Sequence, residues 1–324
     1  MPQAELLMPV GSPELLPLAL AYGADAVYLG SDALSLRAKA PNFPDPALQA
    51  AISLTHRQKK KLYLAVNIFA RDEDLPSARE LFETIAAWPD RPDAFIVSDF
   101  GILRLAREIC PEIPLHISTQ TNTTNAEAFR FWKDLGAQRV VCARELSLKE
   151  IADLHQSLQG VPALEAFVHG SMCISYSGRC LISSFLNGRD ANRGQCTQPC
   201  RWKYYLQEEK RPGEWMPLEE TARGTYLYNS RDLCMIEYLP QMLSAGIRSL
   251  KVEGRMKNEL YVAVIARAYR LALDALEQSE EAYHKVLPWC REEVRKCTRR
   301  EYCTGFYFGQ PGATAQNTES STYL

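Results

Sequence analysis

The sequence predicts a parallel (β/α)8 barrel, the architecture of a TIM barrel, because short apolar segments alternate with amphipathic segments along most of the chain. We count eight predicted strands, whereas an open doubly wound sheet, the alternative architecture, normally contains fewer. The turn after the first predicted strand reads PVGSPE, which is too short for the glycine-rich fingerprint of a dinucleotide-binding sheet. These observations favour the barrel over the open sheet.

The predicted strands are apolar runs bounded by polar or turn-forming residues. In chain order, they are Glu5–Val10, Ala26–Gly30, Leu62–Ile68, Ala94–Ser98, Leu115–Ser118, Arg139–Ala143, Leu164–Val168 and Ser249–Glu253. About eighty residues separate the seventh strand from the eighth, so we predict a long insertion there, over residues 170–247. Insertions at the carboxyl ends of barrel strands carry the chemistry of such folds, which predicts that this one lies on the functional face.

Helix signals fill the intervals between the strands. The leucine-rich segment before Gly23 has the spacing of a helix that ends at that glycine. The segment LPSARELFETIAAW also places its apolar residues at helical intervals. One helix is predicted to begin with Asn125 as its N-cap, and another with Ser147, which can form a capping box with Glu150. A long helix, ELYVAVIARAYRLALDALE, follows the eighth strand.

Composition limits the class of protein. The 324 residues are 46% hydrophobic and 23% charged, with a net charge of −2, so binding to a polyanion requires a local basic patch. The start of the chain lacks the pattern of a signal peptide, and no run approaches the roughly 18 apolar residues of a membrane span. We expect a cytoplasmic protein whose ten cysteines are metal ligands or free thiols and not disulfides.

We predict two units in the chain. Residues 1–287 form the barrel with its insertion, and residues 288–324 form a C-terminal extension that is partly disordered.

Four cysteines lie close together in the insertion, and Cys234 follows them. They are Cys173, Cys180, Cys196 and Cys200. A four-iron cluster needs four thiolates that converge on one point, and the chain lacks the CxxC spacing of most structural zinc sites here. This pattern favours iron–sulfur over zinc, with free thiols as the third interpretation. The remaining five cysteines are predicted to pack in helices or strands, namely Cys110, Cys142, Cys290, Cys297 and Cys303.

Polar side chains follow several predicted strands, where a barrel builds its active site. Glu253 is a candidate general acid or base, and Arg255 a candidate clamp for a carboxylate or phosphate, although the two could instead pair to close the barrel rim. His116 and His169 are candidate catalytic residues or buried structural histidines. Other residues at strand ends are Asn67, Ser98, Asp99, Gln120, Arg144 and Glu145.

A basic stretch with interleaved aromatics extends from Arg179 to Arg211. Its seven basic residues face three acidic ones, and Trp202, Tyr204 and Tyr205 lie among them. Arginines beside aromatics suit stacking on unpaired RNA bases. A solvated loop with its aromatics packed on the barrel edge is the other interpretation.

The segments EAFVHGSMCISYSGRCLISSFLNGRDANRGQCTQPCRWKYYL, YNSRDLCMIEYLPQMLSAGIRSLKVEGRMK and ELLMPVGSPELLPLALAYGADAVYLG resemble the peptidase U32 family of collagenase-like peptidases. The resemblance covers nearly the whole chain and is greatest to the branch of tRNA hydroxylation proteins. It implies a β/α barrel that converts wobble uridine of tRNA to 5-hydroxyuridine without oxygen and requires prephenate. Relatives that hydroxylate the ubiquinone ring hold a 4Fe-4S cluster on four cysteines.

Carried onto this chain, the resemblance implies cluster ligation by Cys173, Cys180 and Cys196. Cys200 is the expected fourth ligand and Cys234 the reserve. Arg255 and the polar strand ends, with Asn67 and Gln120 as cofactor-binding residues, would then hold the carboxylated co-substrate. The expected partners are tRNA and a homologous subunit in place of the C-terminal domain of longer members.

Two other functions remain open. The first is a U32-type peptidase, although neither GxSxG nor HExxH occurs in the sequence. The second is a non-catalytic iron–sulfur subunit of a hydroxylase pair.

Overall fold

Eight parallel strands close into a barrel in the computed structural model, which confirms the predicted fold. The structure describes residues 4–31, 34, 43–173, 175–177, 179–191, 195–201, 205–206, 216–217 and 231–309. Most of the basic and aromatic stretch beyond Arg201, and the residues from 310 onward that were predicted to be disordered, lie outside the described residues.

The barrel strands occur where the apolar runs predict them. They are β1 (Glu5–Pro9), β2 (Ala26–Gly30), β3 (Lys61–Val66), β4 (Ala94–Val97), β5 (Leu115–Ile117), β6 (Ala137–Val141), β7 (Ala163–Gly170) and, after the insertion, β11 (Ile247–Val252). Neighbours in this order pair in parallel, and β11 pairs with both β1 and β7, which closes the barrel. The four remaining short strands are β8 (Tyr205–Leu206), β9 (Met216–Pro217), β10 (Asp232–Cys234) and β12 (Tyr302–Cys303).

Helices cover the outside of the barrel. They are α1 (Leu15–Ala21), α2 (Asp45–Arg57), α3 (Leu75–Ala86), α4 (Phe100–Ile109), α5 (Ala126–Asp134), α6 (Leu148–Leu158), α7 (Ile182–Asn187), α8 (Leu239–Ser244), α9 (Glu259–Gln278) and α10 (Glu280–Arg295). The predicted caps are present: Asn125 accepts from the N–H of Ala128, and Ser147 and Glu150 form a complete capping box. Each cap contributes about 1 kcal/mol.

The barrel interior is divided between apolar and charged side chains. The main apolar core fills the space between strands and helices, while a second, small cluster lies inside the barrel on β1 to β4. The opposite side of the interior is occupied by charged and polar side chains from β1, β6, β7 and β11. This division leaves polar groups directly beneath the carboxyl ends of β7 and β11.

The segment after the insertion is bound to the end of β7. β10 pairs antiparallel with it, Leu233 opposite Gly170 and Cys234 opposite His169, and β12 then pairs in parallel with β10. The predicted boundary between residues 287 and 288 falls inside α10, a continuous helix that packs on α9 and buries Cys290 against the main core. Among the described residues, no helix is both long and apolar enough to span a membrane.

Candidate functional site

A cavity of about 170 Å³ lies at the carboxyl ends of the barrel strands. Its floor and walls come from the ends of β2, β3, β4, β5, β7 and β11, and the cysteine-bearing insertion covers one side. The cysteine residues that line it are Cys173, Cys180, Cys196 and Cys200. We call this space the cysteine cavity.

The fold brings these four residues together from separate short segments. Cys173 follows β7, Cys180 precedes α7, and Cys200 lies in a short 3-10 turn, Pro199–Arg201. Hydrogen bonds tie the second half of this loop to α7, because Thr197 N–H donates to Ser183 Oγ at 3.1 Å and Asn187 Nδ2 donates to Thr197 Oγ1 at 2.9 Å. The loop therefore holds Cys196 beside the segment that carries Cys180.

The four thiols are half-buried and free of disulfides. Burial raises the pKa of Cys180, and the nearby thiols of Cys173 and Cys196 add to the increase. Within the described ranges, no three His, Cys, Asp or Glu side chains lie close enough to bind a single metal ion. The four cysteines therefore line a common space without forming a site for one ion among the described residues.

The fifth cysteine of the region has a different position. Cys234 lies on β10, and its Sγ is 3.9 Å from the hydroxyl of Tyr269. Burial raises its pKa to about 11. It lines a separate concave surface on the outside of the barrel, and the cysteine cavity does not include it.

Cationic side chains form the floor of the cysteine cavity. Arg144 lies over the ring of Phe167 at 3.9 Å and donates from Nη1 to the carbonyl of Ser171 at 3.3 Å. Lys251 is 5% exposed and Arg255 is 6% exposed. Both line the cavity with Arg144. Three cations beside one carboxylate, Glu253, make this floor suitable for an anionic ligand.

Close backbone contacts fix the residues that end β11. Gly11 packs directly on Arg255, since a Cβ at this glycine would lie 1.8 Å from the Arg255 carbonyl oxygen. Gly170 has φ +106°, and a Cβ there would lie 2.5 Å from the Glu253 carbonyl oxygen. Glu253 in turn accepts a hydrogen bond from the N–H of Ser171 at 3.2 Å. Two glycines thus allow the loop after β1 and the last residue of β7 to hold the Glu253–Arg255 segment.

Several buried polar atoms around the cavity have no hydrogen-bond partner among the described residues. They are Asn67 Oδ1, Arg144 Nε and Ser171 Oγ, and all three residues line the cavity. An unpaired buried polar atom costs about 1–3 kcal/mol. Their convergence on one space indicates a polar ligand that supplies the missing partners. Gln120 also lines the cavity, and Ser98 Oγ donates to its Oε1 at 3.3 Å.

An ion network lies beneath the floor. Lys251 Nζ is 2.8 Å from Glu165 Oε1, and Arg139 Nη1 is 3.1 Å from Glu165 Oε2 and 2.6 Å from Glu5 Oε1. Ser249 Oγ lies 2.8 Å from Glu5 Oε1 and 3.1 Å from Glu165 Oε2, so its single hydroxyl proton is within reach of either glutamate. Two positive and two negative charges therefore balance inside the barrel, with Lys251 at the end that reaches the cavity.

The ion network makes the free energy of unfolding depend on pH in the acidic range. Burial alone would raise the pKa of Glu165, but the charges of Lys251 and Arg139 outweigh it and lower that pKa from 4.5 to about 2. Stabilisation on the order of 3 kcal/mol is then present above pH 4.5 and is lost as pH falls towards 2. Urea unfolding of the native chain should show that the free energy of unfolding decreases as pH falls from 4.5 towards 2. The decrease should be smaller in E165Q/K251M, which lacks the pair. An equal dependence of the free energy of unfolding on pH in both proteins would contradict this role of the pair.

The two histidines predicted to be catalytic do not line the cavity. His116 lies inside the barrel, edge-on to Tyr63 with ring centroids 4.6 Å apart, and burial lowers its pKa to about 3. His169 lies outside the barrel wall, where its Nδ1 and Nε2 are 3.3 and 3.2 Å from the hydroxyls of Tyr269 and Tyr302. Both positions correspond to buried structural histidines, the alternative left open by the sequence.

The fold brings the other predicted site residues together. Glu253, Arg255, Asn67, Gln120 and the four cysteines all line the cavity. Lys251 was missed because it lies within an apolar strand, SLKVE, two residues before Glu253. A lysine at an inward-facing position of a barrel strand was the available signal.

Comparison with known proteins identifies the family. The model of peptidase family U32 matches residues 11–317. The chain is 37% identical over 312 residues to tRNA hydroxylation protein P1 of Bacillus subtilis. The alignment covers 96% of this chain and 72% of that protein. It is 38% identical over 342 residues to tRNA hydroxylation protein P of Escherichia coli, with coverage of 93% and 74%.

A further relative carries a different name. A collagenase of Porphyromonas gingivalis is 34% identical over 316 residues, with coverage of 94% of this chain and 74% of that protein. The family match extends from the loop after β1 to beyond β12 and includes every residue that lines the cysteine cavity. The chain belongs to peptidase family U32.

Proposed function

We propose that this protein hydroxylates RNA, converting the wobble uridine of tRNA to 5-hydroxyuridine with prephenate as co-substrate and a 4Fe-4S cluster as cofactor. The observation that carries the proposal is the composition of one cavity, in which four cysteines face a floor of two arginines and a lysine. The relatives named tRNA hydroxylation proteins support the RNA substrate.

The donor set fits an iron–sulfur cluster. Four thiols with no disulfide line one side of the cavity, and thiolates are the ligands that such clusters use. Cys200 completes the set better than Cys234, because only Cys200 shares the cavity with the other three. A bound cluster would supply electron transfer or activation of the hydroxyl donor.

The cationic floor fits a carboxylated co-substrate such as prephenate. Arg144, Lys251 and Arg255 present positive charge in a largely buried space, where charge-assisted hydrogen bonds are strongest. The unpaired Asn67 Oδ1 can accept a hydrogen bond from a hydroxyl group, while Arg144 Nε can donate one to a carboxylate oxygen. These residues would bind and orient the co-substrate and exclude water from around it.

Glu253 is the candidate general base. It is the carboxylate that lines the cavity, and it is held by the Ser171 N–H. Replacement of the C5 hydrogen by a hydroxyl group takes two electrons from the pyrimidine ring, which the hydroxyl donor would accept as its bond to the transferred oxygen breaks. It also releases the C5 proton, which a carboxylate can accept. His116 and His169 are left without a direct role, because neither reaches the cavity.

The proposal predicts the nucleoside content of tRNA in the host. Deletion of the gene should remove 5-hydroxyuridine derivatives from hydrolysed tRNA, and the native gene should restore them when reintroduced. The C173A gene should not restore them, whereas C110A, which alters a buried cysteine at the end of α4, should. Persistence of the modified nucleoside in the deletion strain would exclude this function. A colourless protein with bound zinc that cleaves casein would support the peptidase instead.

A further inference from the structure

A second concave surface of about 520 Å³ lies on the side of the barrel, between β10, β12 and the end of α10. Arg291 and Arg295 face it from one side of α10, one helical turn apart, and Arg299 follows in the segment that leads to β12. We call this surface the arginine groove.

The arginine groove adjoins the cysteine cavity. Cys234 lines the groove, and its backbone pairs with His169 of β7. The chain then leaves β7 and reaches Cys173, which lines the cavity. Since paired strands lie about 5 Å apart, only the end of β7 separates the two surfaces. A ligand that fills the cavity and extends past the barrel rim on this side reaches the groove.

The acidic partners of these arginines are exchangeable. Arg291 pairs with Glu237 at 3.3 Å, with both side chains more than two-fifths exposed, and Arg295 pairs with Glu292 at 2.9 Å on its own helix. Exposed pairs of this kind contribute about 0–1 kcal/mol, so phosphate groups can replace the carboxylates. Arg299 lies over the Tyr302 ring at 4.8 Å, and no described carboxylate forms an ion pair with it.

Charge distinguishes this side of the cavity from the opposite side. The groove lining has three arginines against Glu237 and Glu301, and Glu301 already pairs with Arg231 at 2.7 Å. Across the barrel, beyond the end of β3, Arg71 pairs with Asp190 at 3.3 Å, and the turn Asp72–Asp74 adds three more acidic residues. A polyanion is therefore attracted more strongly to the groove.

Aromatic side chains extend the arginine groove. Tyr238 lines it and packs edge-on against Phe308, with ring centroids 4.8 Å apart. The Phe308 side chain is 56% exposed, which is unusual for a large apolar residue unless it has a partner. Exposed aromatics beside arginines are the surface on which single-stranded RNA bases stack.

We propose that the arginine groove binds the phosphate backbone of the RNA whose base enters the cysteine cavity. This inference rests on the proposed function, because it takes the substrate to be RNA. The proposed reaction needs only the target base inside the cavity, so most of the affinity for RNA comes from contacts outside it, and phosphate contacts dominate such affinity. Among the described residues, the groove lining carries more arginines than carboxylates, and Cys234 in this lining pairs with His169 of β7.

The test compares two triple variants that remove the same charge. R291Q/R295Q/R299Q alters the groove, and R57Q/K133Q/K285Q removes three exposed cations near the opposite end of the barrel. The probe is an unmodified tRNA transcript, and its binding is measured by fluorescence anisotropy at several KCl concentrations. In the groove variant, the slope of log affinity against log salt should fall by about two to three, since each phosphate contact contributes about 0.7–0.9. The control variant should retain the native slope.

Each other outcome contradicts the inference in a recognisable way. If the groove variant keeps the native salt dependence of affinity, or if both variants lose it equally, the arginine groove does not bind the RNA backbone. The proposed RNA function would remain intact. If the native protein does not bind the transcript at all, both the proposed RNA function and the role of the groove are contradicted. If the triple variant melts far below the native chain, R295Q replaces it, because this side chain is 48% exposed. Its slope should fall by about one.

Discussion

Replacement of Cys200 by serine should remove the iron and acid-labile sulfide from anaerobically purified protein, whereas replacement of Cys234 should leave both at the native level. The reason is location, since Cys200 lines the cavity shared by Cys173, Cys180 and Cys196, while Cys234 lies against Tyr269 on the outer side of β7. A cluster that loses one of four thiolates is bound much more weakly.

Iron and sulfide content, with the visible absorption of the protein, measures this outcome without any assay of activity. The matched control is C110A, because Cys110 is 1% exposed and lies at the end of α4, away from the cavity. Equal loss of iron in C200S and C234S would reject the assignment. If C200S keeps the native iron content and C234S loses its iron, Cys234 is the fourth ligand instead of Cys200. The insertion would then have to move towards β10.

Replacement of Lys251 by methionine should weaken prephenate binding about 10- to 100-fold, because a buried charged hydrogen bond contributes roughly 1.5–3 kcal/mol. The same change should also destabilise the fold by about 3 kcal/mol, since it leaves Glu165 and Glu5 with Arg139 alone. Calorimetric titration of prephenate and urea unfolding measure the two effects separately.

The double variant E165Q/K251M separates binding from folding. It removes one positive and one negative charge, so the interior is again neutral and the free energy of unfolding should recover. Binding of prephenate should stay weak, because the cation at the cavity floor is absent. K251R keeps a cation there and should bind better than K251M. Native affinity in the double variant would show that Lys251 serves only the interior network.

The sequence predicted the barrel well because its evidence was local. Apolar runs marked all eight barrel strands to within two residues, and the polar residues at Asn125 and Ser147 marked helix starts correctly. The four cysteines were also visible as a group, since they share one loop. Each of these features depends on residues that are close together in the chain.

The positions that the sequence did not predict depend on contacts that are distant in sequence. His169 was expected to face the active site, but the register of β7 against β11 shifts between Phe167 and His169, which turns the side chain outward to Tyr269 and Tyr302. Lys251 appeared to be part of an apolar strand, and only the fold brings it next to Glu165. Register shifts and buried ion partners are properties of the assembled barrel.

The antiparallel pairing of β10 with the end of β7 determines how the cysteine-bearing insertion is attached to the barrel. The long excursion that carries the cysteines leaves the barrel at Gly170 and returns opposite the same residue, at Leu233. Its two ends are fixed side by side, so segments can be added to or removed from the excursion while the barrel strands keep their register. Lengthening a closed loop costs little, about 0.6 kcal/mol for each doubling. Natural variation and laboratory grafting can therefore exchange the cysteine-bearing segment while the residues of the cavity floor, which belong to the barrel, stay in place.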